Sequence, residues 1–548
     1  MAGDGPGVGR AEERTTTREL LDHGRQHHAA GRLDAARRAY HKILDADPEH
    51  PDALHLAGLV AQQQGDAARA IELIERAIAR QPSAAPFHVS LGQAQEAAGQ
   101  VVEARASYAR ALELDPQSFA ACNSLGLLQK RQAQLDAAAD CFEQALRIKP
   151  DCIEALVNLG TIREVQGRFD EAQRIYEQAG LQNPDHPVIH NNLGKVLKEQ
   201  GRFDQAMASY DRAINLDPEY ASAHRNRSHL LLLRGDLEAG WSEYEWRLRA
   251  PKLRHLAERF AIPRWNGKIE PGTTLLIYAE QGIGDEIMFL GLVPTLVEAG
   301  VGCVIECDGR LLPLLRRSMP QVAAFAKSDP PANLPNDLRI DFACPIGSLG
   351  RWLHPALGSS GPTSPYLLAD VDLIAELRGR YQGDGGQPVV GISWRGGRHP
   401  GVRRARSIEL EQWARILEVP GLRLVSLQYG EVEAELARCG DRLDVNVQHD
   451  ATIDPLSTLD RFAAQVAACD LVISVDNATV HMAGALGRPT WVLLPAVPDW
   501  RWMLGREDSP WYPSMRLFRQ RQVGGWDHVL SDVARAMVDQ FDQSTGQP

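Results

Sequence analysis

The sequence predicts an all-α solenoid of helix–turn–helix repeats followed by an α/β part built of two lobes with parallel sheets. Three observations carry this. Between residues 24 and 218, four positions recur with one fixed period. After residue 270, short runs of β-branched and aliphatic residues alternate with segments of helical spacing, the pattern of βαβ units. Within that second part, 471–500 (LVISVDNATVHMAGALGRPTWVLLPAVPDW) reads as strand, tight turn, helix and strand in one run. At 548 residues the chain exceeds one hydrophobic core, and roughly 150 residues per domain implies three or four domains. The divisions expected are a disordered N-terminus over 1–16, repeats over 17–250, a first lobe over 251–385, and a second lobe with a C-terminal helix over 386–548.

The opening decapeptide, MAGDGPGVGR, is Gly-rich and lacks the apolar core of a secretory signal. The net charge of −12, from 59 Lys and Arg against 71 Asp and Glu, argues against nonspecific binding to nucleic acid or to an anionic membrane. No apolar run approaches the ~20 residues that span a bilayer. Eight cysteines are scattered without CxxC pairs. Cys303 and Cys307 share one face of an expected strand, but no His or second Cys pair joins them, so they read as buried thiols rather than a zinc site. This usage fits a reducing cytoplasm.

In the first half, Pro48, Pro82, Pro116, Pro150, Pro184 and Pro218 recur every 34 residues. Gly24, Gly58, Gly92, Gly126, Gly160 and Gly194 keep the same period. So do Ala36, Ala70, Ala104, Ala138, Ala172 and Ala206, and the larger Tyr40, Ile74, Tyr108, Phe142, Tyr176 and Tyr210. The period and pattern resemble the tetratricopeptide repeat. Small residues let paired helices approach, the larger residue is expected to fill the space towards the next repeat, and proline stops the second helix. A seventh, degenerate copy over 221–249 keeps Gly235 and Tyr244 and adds Trp241 and Trp246. Terminal repeats face something other than another repeat, so these tryptophans are expected to dock on the next domain. Asn158, Asn192 and Asn226 hold one position of helix A in three successive repeats. Their amides can donate to and accept from an extended peptide backbone, and the arrangement is similar to the asparagine ladder of the eukaryotic O-linked N-acetylglucosamine transferase. Asparagine is also common on exposed repeat surfaces, and both readings stand.

Between residues 251 and 271 the period is lost in a linker. A strand over 274–279 (TLLIYA) precedes the turn Glu280-Gln281-Gly282-Ile283-Gly284-Asp285, a helix over 286–299, a strand over 301–306, a helix near 311–319 and a strand over 340–344. The GxG turn lacks the full dinucleotide fingerprint and no Walker motif is present, which speaks against a nicotinamide cofactor and a P-loop kinase. The Gly-rich segment 379–387 separates the lobes. The second opens with a strand over 389–394 and a basic loop from Arg395 to Arg406. A helix over 409–418, a strand over 422–428 and a helix over 460–468 then lead to the strand Leu471–Val475. The loop Asp476-Asn477-Ala478-Thr479 and a helix over 480–486 come next, then strands over 490–494 and 515–518 and a helix over 526–541. Helix N-termini present unpaired N–H groups suited to an anion such as phosphate.

Four segments, GIGDEIMF (282–289), GISWRGG (391–397), SVDNATVHMAGALGRPTWVLLP (474–495) and DWRWMLGREDSPWYPSMRLFRQ (499–520), resemble a bacterial glycosyltransferase group. That group fuses tetratricopeptide repeats to a heptosyltransferase-like domain and includes flagellin glycosyltransferases. The resemblance implies a GT-B architecture of two Rossmann-like lobes, with an acceptor entering the cleft and a nucleotide sugar bound mainly to the second lobe. It makes Asp285 the candidate general base, and the loop from Asp476 to His481 the donor-phosphate site. The chain departs from the commoner D-T-S-x-x-H form at Asn477 and Ala478, leaving Thr479 as the nearest hydroxyl.

Glycosyl transfer needs a base for the acceptor proton and positive charge at the departing phosphate. Asp285 is expected to supply the first, with N-capping of its helix as the rival role. For the second the expected groups are the helix tip at Thr479, Gly282 and Gly284, which let backbone approach the donor, and Arg395 with Arg398. His481 either contacts donor phosphate or ribose or makes a structural hydrogen bond. Arg403, Arg404 and Arg406 read as a solvated loop or a basic lid, and Trp500, Arg501 and Trp502 as packing beneath the cleft, with contact to the acceptor as their alternative. No metal and no cofactor are expected, since no D-x-D pair stands in a donor loop; Asp370-Val371-Asp372 lies away from the motifs. The function expected is protein O-glycosylation, with a peptide along the repeats and a nucleotide sugar as partners. The alternatives are transfer to a lipid-linked or surface polysaccharide, and a noncatalytic scaffold.

Overall fold

Each repeat forms a helix pair because its 34-residue period carries one tight turn in the middle and one proline after the second helix. The computed structural model describes residues 7–250, 253–257, 259–328, 339–353, 365–397 and 400–542. The chain divides into two compact units, 1–184 and 185–548. The first holds five helix pairs: Gly7–Ala29 with Leu33–Ala46, Pro51–Gln63 with Ala67–Arg80, Ala85–Ala97 with Val101–Leu114, Phe119–Arg131 with Leu135–Ile148, and Ile153–Gln166 with Phe169–Gln182. The first helix begins at Gly7, where disorder was expected through residue 16. Ala11, Glu12, Glu13 and Arg14 are good helix formers that the Gly-rich start obscured. Residues 1–6 lie outside the described residues.

Within each pair the periodic glycine of the first helix faces the periodic large residue of the second. A Cβ on Gly160 would lie 2.6 Å from the Tyr176 ring, and one on Gly58 would lie 2.6 Å from Ile74. The large residues therefore fill the space inside their own repeat, and Tyr108 also reaches Ser124 of the next one, as expected from the sequence. The turn between the helices takes a left-handed residue, glycine at 31, 65, 99 and 167 but Ala133 (φ 57°) in the fourth repeat.

The second unit begins with the pairs Pro187–Glu199 with Phe203–Leu216 and Ala221–Arg234 with Leu237–Tyr244, followed by a 3-10 turn Glu245–Arg249. Two parallel sheets follow. The first contains β1 (Thr274–Tyr278), β2 (Gly302–Cys307), β3 (Ala323–Ala326) and β4 (Phe342–Pro345) in the order β3-β2-β1-β4. The second contains β5 (Val389–Ser393), β6 (Arg423–Ser426), β7 (Val447–Gln448), β8 (Leu471–Val475), β9 (Thr490–Leu494) and β10 (Met515–Arg519) in the order β10-β9-β8-β5-β6-β7. Counted from β5, this is the 3-2-1-4-5-6 order of a doubly wound sheet. Both sheets reverse direction of growth beside their first strand, so the loops after β1, β5 and β8 stand where such sheets bind ligands.

Several details depart from the sequence reading. The helix expected over 286–299 is two, Ile283–Leu290 and Val293–Glu298, because Pro294 interrupts the backbone bonding at the start of the second. The short strands β3 and β7 were not anticipated. Residues 379–382 end the helix Val371–Gln382 rather than separating the lobes. That helix belongs with the second sheet, not the first lobe: Arg378 bonds Asp470 at 2.7 Å and Gln465 bonds Tyr381 at 3.1 Å. Residues 400–406 of the basic segment form the helix Pro400–Arg406 instead of a loop.

One apolar core runs through the second unit from Leu233, Trp241 and Tyr244 of the last repeat, past Ile277 and Phe289, to Val472, Trp500 and Trp511. Trp241 sits against Gly350, where any Cβ would come within 2.5 Å of its ring, and meets Trp500 edge-on at 5.3 Å. The degenerate repeat thus docks on the lobes as its tryptophan promised. Trp246 does otherwise, stacking on His224 of its own repeat at 3.7 Å. A second core lies under the other face of the six-stranded sheet, around Trp394, Trp413, Leu493 and Val533. Among the described residues no helix is long and apolar enough to cross a membrane.

Candidate functional site

The loop after β1 and the loop after β8 open onto one cavity of about 250 Å³. Its walls include Gly284 and Asp285 from the first lobe and Asp476, Asn477, Ala478, Thr479 and His481 from the second, with Arg310, Arg406 and Arg501 among them. Ile287, Leu459, Phe462 and Met482 supply apolar wall. The two helix tips approach closely: a Cβ on Gly284 would stand 2.9 Å from His481 Cδ2. Only glycine permits that contact. Gly282 does not line the cavity; it precedes the helix Ile283–Leu290, and its carbonyl accepts from the Asp285 and Glu286 amides at 2.9 and 3.1 Å.

Asp285 stands in the first turn of that helix but caps nothing; its carboxylate pairs with the Arg501 guanidinium. From there charge alternates along one line. Arg501 also pairs with Asp499, Asp499 with Arg406 at 2.9 Å, and Arg406 with Asp476 at 2.9 Å. Burial disfavours the charge on Arg406, but Asp476 and Asp499 outweigh it and raise its pKa. Burial pushes the Asp499 carboxyl above its ordinary range against the opposing pull of Arg406. Asp476 Oδ2 is buried and accepts no hydrogen bond from the described residues, since Arg406 faces it without hydrogen-bond alignment. It retains the capacity to accept from a ligand hydroxyl.

Asn477 is a brace. Its Oδ1 accepts from the Thr479 amide at 2.9 Å and caps the helix Ala478–Ala485, while Nδ2 donates to Ser393 Oγ at 2.8 Å and to the Arg395 carbonyl at 2.9 Å. The loops after β5 and β8 are thereby tied together. His481 Nδ1 lies 3.0 Å from the Tyr512 hydroxyl and its ring stacks on Trp502. Burial lowers its pKa to about 4, so the imidazole is neutral near pH 7. The structural hydrogen bond is realised, and another edge of the ring faces the cavity.

Arg395 is not at the cavity. Its guanidinium turns to the Glu431 carbonyl at 2.9 Å and to Glu435 at 3.2 Å. The Glu431 carbonyl before helix Glu433–Leu443 and the Glu435 carboxylate on it draw the guanidinium away. Arg398, expected beside it, lies outside the described residues. Arg406 takes the place foreseen for Arg395, and it is paired with Asp476 and Asp499 instead of solvated. Arg501, read from sequence as packing first and as a cleft contact only second, reaches the cavity, while its neighbours Trp500 and Trp502 are buried. Arg310, which also donates to the Leu456 carbonyl at 2.9 Å, went unmarked because nothing local distinguishes it from any surface arginine.

The three repeat asparagines are half-buried and already bonded. Asn158 in the first unit accepts from Lys130 at 2.8 Å. In the second unit Asn191 links the other two, donating to Asn192 at 3.2 Å and accepting from Asn226 at 2.8 Å. Each amide keeps spare capacity, because one bond uses one of its several donor and acceptor positions. The intervening Asn191 was not foreseen.

A family described as the C-terminal domain of cilia- and flagella-associated protein 70 matches residues 8–229. The protein FlbA of Caulobacter vibrioides is 35% identical over 317 residues, covering 55% of this chain and 52% of its own length. The chain thus spans about half the length of the curated relative it matches. Among solved structures, MamA is 28% identical over 31% of this chain and 92% of its own, with a TM-score of 0.28. YrrB, described as a tetratricopeptide-repeat protein with an unusual peptide-binding site, is 20% identical over 34% of this chain and 95% of its own, TM-score 0.31. PilF of Pseudomonas aeruginosa is 17% identical over 39% of this chain and 96% of its own, TM-score 0.36. The first part of the chain is a solenoid of tetratricopeptide-like repeats, a class that binds peptides and proteins.

Proposed function

We propose that the second unit is a GT-B glycosyltransferase that moves a sugar from a nucleotide-sugar donor to a Ser or Thr hydroxyl of a polypeptide held by the repeats. A flagellin-like protein is the acceptor class that the sequence resemblance implies. The observation that carries this reading is the shared cavity: Asp285 on one lobe and the helix tip at Thr479 on the other line the same hollow. It stands at the carboxyl ends of two parallel sheets, beside the point where strand order reverses, the usual ligand position of such sheets.

In this mechanism the donor diphosphate lies against the N-terminus of the helix Ala478–Ala485 and the cavity arginines, which stabilise the charge that builds on the leaving oxygen without a metal or cofactor. Asp476 Oδ2 accepts from a donor hydroxyl. Asp285 takes the acceptor proton. The acceptor chain runs past Asn192 and Asn226 to the end of helix Pro187–Glu199, where Lys198 and Glu199 act electrostatically on Asp499 and Arg406. Eight free thiols fit a cytoplasmic setting.

Incubating the full chain with labelled UDP-, GDP-, ADP- and CMP-sugars and the soluble protein of cells lacking it tests the reading. Label is expected in alkali-labile linkage to protein with at least one donor, and Asp285→Ala, folded by tryptophan fluorescence, is expected to lose it. Failure of every nucleotide to bind in calorimetry would refute it. One observation favours a second reading, a noncatalytic scaffold: Asp285 is held by Arg501, and both polar groups of the Asn477 amide are spent on structure. Nucleotide binding without any transfer would select that reading.

A further inference from the structure

We infer that Arg501 is an exchangeable partner of Asp285, surrendered to the donor's diphosphate on binding, so that the base is released only when a donor is in place. This rests on the transferase reading above and adds an order of events to it. Both side chains line the cavity, one from each lobe, and they pair directly. The Arg501 guanidinium has a second anchor in Asp499, which Arg406 holds in turn. It can therefore change one partner without losing its place. Its Nε is buried and has no acceptor among the described residues, so a hydrogen-bond donor on the same guanidinium is already available to a phosphate oxygen. Arginine presents such donors in a planar fork suited to phosphate.

The charge balance permits the exchange, because Asp499 stays beside the guanidinium throughout. A guanidinium this enclosed is destabilised by loss of water and needs an anion beside it at every stage. Asp285 serves in the unloaded protein, and while it does its carboxylate oxygen is engaged by the guanidinium instead of facing an acceptor hydroxyl. Across the line Asp285, Arg501, Asp499, Arg406 and Asp476, three carboxylates face two guanidiniums. When the C1–oxygen bond to the diphosphate breaks, its electron pair stays on the leaving phosphate oxygen, beside Arg501. The acceptor oxygen forms the new bond to C1, and its proton passes to Asp285, which becomes neutral. Negative charge leaves the Asp285 carboxylate as it arrives on the phosphate, so the pocket never holds both uncompensated. A water molecule meeting an unloaded site would find the base occupied, which suppresses idle proton transfer.

Binding of UDP, GDP, ADP and inorganic pyrophosphate to four full-length proteins decides the matter: wild type, Asp285→Asn, Arg501→Gln and the double variant, measured by calorimetry with folding checked by tryptophan fluorescence. With the competing carboxylate removed, Asp285→Asn should bind its diphosphate about 5- to 30-fold more tightly, the factor that follows from one or two kcal/mol of freed interaction. Arg501→Gln should bind it at least tenfold more weakly, and Asp285→Asn should have no effect in the Arg501→Gln background. If Arg501→Gln does not fold, Arg501→Lys replaces it, with a reduced gain expected. Unchanged or weaker binding by Asp285→Asn, or a gain that persists without Arg501, overturns the exchange while leaving the transferase reading intact. No binding of any probe by the wild type overturns both.

Discussion

Replacing Asn477 by alanine separates a brace from a ligand-binding residue at the most motif-like position of the chain. The side chain makes one capping bond to the Thr479 amide and two donor bonds, to Ser393 and to the Arg395 carbonyl. Loss of an asparagine cap costs about 1 kcal/mol, and each neutral hydrogen bond contributes about 1 kcal/mol net. The Thr479 amide and the Arg395 carbonyl would lose these partners, so the total expected is about 2–4 kcal/mol. All eleven tryptophans lie after residue 240, so tryptophan fluorescence during urea unfolding reports the second unit without interference from the first. Asn477→Asp keeps the cap but sets an anion against the Arg395 carbonyl, and should cost as much as alanine. A loss of stability below about 1 kcal/mol, combined with a tenfold loss of nucleotide affinity, would refute the brace and return Asn477 to the donor.

Three further outcomes follow from the packing. Ala133→Gly relieves a left-handed backbone that costs an L-residue about 1–2 kcal/mol; net of glycine's added chain entropy it should stabilise its repeat, read as slower hydrogen exchange in Phe119–Arg131 and Leu135–Ile148. Trp241→Ala should destabilise the second unit by about 3–5 kcal/mol in urea unfolding, the usual cost of emptying a fully buried indole site. Burial lifts the Glu286 carboxyl to about 7, so the native state binds a proton that the unfolded chain has released above its ordinary value. The associated stability is complete below the unfolded value and lost as pH rises through about 7. Glu286→Gln should therefore gain on the wild type between pH 5 and pH 8, and equal offsets at both would exclude the effect.

How much could be read without coordinates depended on whether a signal was local. The 34-residue period marked the helix pairs because repeats bury the same contacts each time, and β8 and β9 appeared with their bounds intact as continuous apolar runs. The contact inside each repeat did not follow from the period: only the placement of Tyr176 over Gly160 reveals that the large residue closes its own repeat. The left-handed turn glycines also share the period and were legible in principle; Ala133 breaks the series and hid the rule. Motif reasoning brought Asp285, Asp476, Thr479 and His481 to one cavity, since each sits within a few residues of a strand end that the sheet order fixes in space. It misassigned Arg395 because an arginine's six-atom reach lets distant acceptors choose its direction, and Glu431 and Glu435 are close neighbours only once β5, β6 and the helix Glu433–Leu443 are packed. The same reach explains why Arg406 and Arg501 were undervalued. Their roles come from Asp499, whose carboxylate both guanidiniums share across 93 residues in one case and two in the other. Spacing along the chain carries no trace of that sharing. A line of charges assembled from four separate segments of the chain can be tested only by changing one member and asking whether another responds, which is why Asp285 and Arg501 must be altered together as well as one at a time.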